Sequence, residues 1–148
     1  SQSDTFRAKI YIEDSLQTAG GLIIFPQISD TIEIDKSDSI AIIDLNDSKR
    51  RVFYFSWYGW TSKIFRFTSN TTTSEIHKII VPDSTFYKPF EEKRICPICL
   101  KSKSLIPIIY GLPFPKEFKL ADKNKIGLGG CVYDFAKKYY CKRDNFEF

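Results

Sequence analysis

Cys96-Pro97-Ile98-Cys99 is answered much later in the chain by Tyr140-Cys141-Lys142-Arg143-Asp144. Two thiols with two residues between them have the right bite for one metal ion, and a second turn of that shape supplies the other half of a tetrahedral site. The second turn is incomplete, because Asp144 stands where a fourth cysteine is expected. Short apolar runs surround these turns. Leu105 to Tyr110 reads as a strand, broken by Gly111-Leu112-Pro113-Phe114-Pro115. Pro115 suits the first position of a short helix through about Asp122, with Phe118 and Ala121 on one side and lysines on the other. Ile126 to Val132 returns as a glycine-rich strand. Tyr139-Tyr140-Cys141 and Phe146-Glu147-Phe148 close a hairpin over Lys142 to Asn145.

About fifty residues seldom bury enough surface to fold alone, and a structural zinc ion makes up the deficit. Cys96, Cys99 and Cys141 are three candidate ligands. The fourth is Asp144 by position or Cys131 by proximity, and a carboxylate in that place implies weaker binding than four thiolates. The alternative is a fold that has lost its metal and survives by docking on the rest of the chain. The ordered patches Cys96-Pro97-Ile98-Cys99, Tyr110-Gly111-Leu112-Pro113, Leu128-Gly129-Gly130-Cys131 and Tyr140-Cys141 resemble small bacterial zinc-ribbon-like proteins of unassigned function, which read CPxC, YGxP, LGGC and YCxxC. The resemblance implies a ribbon-like β unit over 91–148 and carries no activity with it.

Upstream, Phe6, Ala8, Ile10 and Ile12 alternate with Arg7, Lys9, Tyr11 and Glu13, the period of a half-buried strand. Further short strands are expected at Leu22–Phe25, Thr31–Ile34, Ile40–Leu45, Arg50–Tyr58, Lys63–Phe67 and Ile76–Val81. Turns are expected at Asp35 to Asp38, at Asn46-Asp47-Ser48 as a hairpin into Arg50, and at Ser69 to Ser74. Many short strands without a helix predict a small, closed or nearly closed barrel over 1–90. Pro89-Phe90-Glu91-Glu92-Lys93-Arg94 reads as the linker. Asp4 to Arg7, Glu13-Asp14, Gly20-Gly21-Leu22 and Ser37-Asp38-Ser39-Ile40 resemble the second-domain β-barrel of translation elongation factors. No phosphate-binding loop accompanies the resemblance, so GTPase chemistry is not implied.

The composition is 43% hydrophobic and 27% charged over 148 residues, which excludes wholesale disorder. No apolar run approaches the roughly 20 residues that span a bilayer, and no secretory signal is read at the numbered start. The four cysteines do not form a secreted disulfide pattern, so a cytoplasmic setting is expected. Residues 1–90 carry 10 basic and 11 acidic side chains, a net −1, and residues 91–148 carry 12 and 7, a net +5.

Catalysis finds little support. His77 is the single histidine, and no nucleophile is tied to it by motif. Glu13-Asp14 and Glu91-Glu92 are adjacent pairs whose side chains diverge in an extended chain. A redox use of Cys96 and Cys99 wants a helix N-terminus, and a basic turn follows instead. No small-molecule substrate is evident. The expected function is that of a non-catalytic protein-binding module, such as an inhibitor or toxin-immunity protein. The alternative is an RNA- or ribosome-associated factor, in which Arg50 and Arg51 meet phosphate and Tyr54 and Tyr58 stack bases from the outer face of their strand.

Overall fold

The computed structural model describes residues 5–13, 15–16, 20–34, 40–45, 49–67, 75–131 and 136–148. Of these, 45% are strand and 15% helix, with a sheet curled into a half-barrel, so the protein is mainly β. The chain divides into two compact units, Ser1–Ser84 and Thr85–Phe148.

The first unit opens with β1 (Thr5–Ile12). Its alternation is the one its sequence predicts, with Phe6, Ala8, Ile10 and Ile12 all buried. There follow β2 (Ser15–Leu16), β3 (Gly21–Phe25), β4 (Asp30–Ile34), β5 (Ala41–Asp44), β6 (Val52–Trp57), β7 (Trp60–Thr61), β8 (Phe65–Arg66) and β9 (Ile76–Val81). One sheet runs β2-β1-β5 with β9 parallel to β1. The other runs β4-β3-β6-β7 with β8 paired to β6. A backbone bond from Asp83 N–H to Thr61 O at 3.2 Å links the ends of the two sheets. Between them lies one core, in which Phe6 meets Phe53, Phe65 and Phe67 edge-on at 5.1–5.3 Å.

Several sequence expectations change here. The turns at Asp35–Asp38, Asn46–Ser48 and Ser69–Ser74 lie outside the described residues, as do Asp4, Asp14 and Ser37–Ser39 of the barrel resemblance. The strands flanking Asn46–Ser48 are not hairpin partners, because β5 pairs with β1 and β6 with β3. A two-residue hairpin does form, between β6 and β7. Tyr58 (φ 46°) and Gly59 (φ 82°) make its left-handed turn.

The second unit begins with a helix that its sequence hides, α1 (Ser84–Lys93). Pro89 within this stretch reads as a breaker and linker start. Yet Phe86 lies against Phe90 one turn on, their rings tilted and 5.2 Å apart, and buried Tyr87 packs near Phe146 (5.9 Å). Those contacts outweigh the one backbone bond a proline removes. The unit continues through β10 (Leu105–Tyr110), α2 (Pro115–Asp122), β11 (Gly127–Gly130), β12 (Tyr139–Cys141) and β13 (Phe146–Glu147). The sheet order is β11-β10-β12-β13, with β11 parallel to β10. Helix α2 starts at Pro115 as expected, and the Glu117 carboxylate accepts the Phe114 N–H at 2.9 Å. None of its residues is buried, so Phe118 does not pack inward as its spacing implies.

Candidate metal centre

The site begins with two turns built alike. In the first, Leu100 N–H donates to Cys96 O (2.8 Å) and Cys96 N–H to Lys101 O (3.0 Å), which folds the chain back after Cys99. Leu100 is forced into the left-handed region at φ 60°, an unusual place for a branched residue. In the second, Cys141 pairs across with Phe146 and Asn145 sits at φ 50°. Each turn therefore has a buried cysteine first, a ligand-type residue three places on, and a left-handed residue fourth. Asp144 occupies in the second turn the place Cys99 occupies in the first.

The register Leu105↔Cys141, with Lys142 N–H donating to Ser104 O at 2.9 Å, brings the turns together. The Sγ atoms of Cys96 and Cys141 each lie 3.4 Å from Asp144 Oδ2, and Cys99 Sγ lies 3.9 Å from Cys141 Sγ. All four donor atoms fall within 4.8 Å of one another. Three thiolates and a carboxylate around a tetrahedral ion, with bonds of about 2.3 and 2.1 Å, stand roughly 3.8 Å (S···S) and 3.6 Å (S···O) apart. The observed separations match those edges, so the cluster can hold a metal ion.

Burial supports the same conclusion. Asp144 is 7% exposed and shares its carboxylate with two thiols. Burial pushes the Cys96 and Cys141 thiols up; N–H groups of Cys99 and Ile98 on Cys96, and of Asp144 on Cys141, oppose the rise. Such N–H groups aimed at sulfur stabilise thiolates, which is the form a cation requires. All four cysteines are free. Cys131 is exposed and stands outside the cluster, leaving Asp144 as the fourth member.

The residues expected to meet RNA are not brought together as a platform. Tyr54 is only 8% exposed, because β6 is buried on both faces from Val52 to Phe55. Burial raises its phenol pKa to about 12. Arg50 is held by Asp30 at 2.8 Å and lies over the Phe25 ring, and Arg51 is half-buried. Tyr58 alone is open, 88% exposed at the hairpin tip. His77 stacks on Phe6 at 4.4 Å, as a packing residue does.

The chain is thus a mainly β protein with a cluster of three cysteines and one aspartate fit for a metal ion. Comparison with family models, with curated proteins and with solved structures finds no match.

Proposed function

We propose that the ion is a structural zinc and that the protein is a non-catalytic module that binds an acidic protein partner. Three thiolates and a carboxylate suit zinc, and four protein ligands leave no open position for chemistry. Free, closely set thiols also fit a reducing, cytoplasmic setting.

The observation that carries the binding reading is the bare apolar surface of α2 and of the turn that leads into it. Leu112 is 91% exposed, Phe114 66% and Phe118 50%, the two phenylalanines lying one helical turn apart. Soluble surfaces rarely leave such aromatics open unless something covers them. Lys116, Lys119 and Lys123 are exposed on the same helix and its cap and outnumber Glu117 and Asp122, so the complementary surface is apolar at its centre and mildly acidic at its rim. An inhibitor or toxin-immunity protein covering an acidic active surface is one form of this function.

Cross-linked capture with the native chain and with a Phe114→Ser, Phe118→Ser double variant tests it. An acidic partner held at one-to-one stoichiometry by the first and lost by the second is expected. Equal capture by both, or turnover of a substrate by the protein alone, contradicts it.

The RNA reading keeps one supporting observation, the exposed Tyr58 backed by Trp57 at 4.8 Å. It requires RNA affinity that falls steeply with salt and with Tyr58→Ala.

A further inference from the structure

At the C-terminus of α1, Ile95 N–H donates to Phe90 O (3.2 Å) and Arg94 N–H to Glu91 O (3.4 Å). These two bonds define a helix stop whose left-handed position is normally glycine. Here that position is Arg94, at φ 54°. A side chain held where its backbone is disfavoured invites a functional explanation.

Arg94 lines a pocket of about 400 Å³ together with Ser102, Leu105, Pro107 and Tyr139. Pro107 and Tyr139 are register partners on β10 and β12, and Leu105 shares the face of Pro107 two residues earlier. They form an apolar floor. Arg94 and Ser102 come from the two turns that flank the Cys96-to-Cys99 segment. Among the described residues, the side chains of Arg94, Ser102 and Tyr139 have no hydrogen bond or ion pair within the protein. Of the two acids in the last turn of α1, Glu91 is held by Lys138 Nζ at 3.2 Å and Glu92 is exposed. Lys101 and Lys103 flank Ser102 and are exposed, which adds positive potential at the rim.

We propose that this pocket binds a small organic carboxylate. The Arg94 guanidinium takes the carboxylate through its two-pronged fork, the Ser102 and Tyr139 hydroxyls are available to the same group, and Leu105, Pro107 and the Tyr139 ring hold the apolar body. The volume is that of a small-ligand site. The proposal stands apart from the partner-binding reading of α2 and does not depend on it.

Amide NMR titrations of the full chain, as purified, with benzoate, benzyl alcohol and inorganic phosphate test the idea. Saturable shifts at Arg94, Ser102 and Tyr139 are expected with benzoate, at least tenfold weaker with the alcohol or phosphate. Arg94→Gly should raise the thermal midpoint, since glycine relieves the left-handed backbone, while weakening benzoate at least tenfold. Arg94→Lys should bind between the two, because it keeps the charge and loses the fork. Absent saturation by benzoate, equal response to phosphate, or unchanged binding in a folded Arg94→Gly variant would each overturn the site.

Discussion

Asp144 is the residue on which the metal site turns. Its carboxylate sits in the second turn where Cys99 sits in the first, 3.4 Å from two thiols. A thiolate is the softer ligand for zinc. Asp144→Cys should therefore tighten zinc binding on the order of tenfold or more, and Asp144→Ala should lose it, read by chelator competition. An Asp144→Cys variant no tighter than the native chain would mean that Asp144 does not ligate. Tyr54 offers a second test at this scale. Its phenol pKa is raised from 10.0 to about 12 by burial. Below pH 10 the phenol is neutral folded or unfolded and stability does not depend on it. Between pH 10 and 12 the unfolded chain ionises first and binds fewer protons, so stability falls as pH rises. Tyr54→Phe should flatten that alkaline slope in denaturant titrations of the first unit; an unchanged slope would place the titration elsewhere.

Among the elements, β3 depends on a small residue at its start. A Cβ on Gly21 would meet the Phe55 ring and come within 2.8 Å of Ser56 O. Since Phe55 is fully buried it cannot swing away, and Gly21→Ala should cost about 1–3 kcal/mol by chemical denaturation. A neutral result would mean that β3 and β6 part easily. What the sequence revealed of these elements follows from how local their causes are. The alternation in β1 and the proline-started α2 are local patterns, and both appear where expected. Helix α1 is not legible, because Pro89 masks it and the burial of Tyr87 comes from distant Phe146. Nor does the aromatic run of β6 say that Tyr54 is buried, since a strand buried on both faces has no period to read. Cys96, Cys99 and Cys141 were legible from spacing, and Asp144 from its place in the second turn. Arg94 and its pocket were not, because they join residues that share no motif.

At the scale of the whole molecule, the two units differ in what holds them. The first has a continuous apolar core from Phe6 to Val81, in which Phe6, Phe25, Phe53 and Phe55 are fully buried. Among its described residues, the second buries Tyr87, Ile98, Ile106, Ile126, Phe146 and Phe148 together with Cys96 and Cys141. A unit the length of Thr85–Phe148 is marginal without a further tie, and zinc binding supplies folding free energy directly. The direct test is zinc content together with amide exchange, on protein purified without chelator and again after chelation. One zinc per chain is predicted, and its removal should strip protection from residues 94–110 and 139–148 while the β1, β3 and β6 amides stay protected. Protein with little or no zinc whose second unit is nonetheless fully protected, before and after chelation, would contradict it.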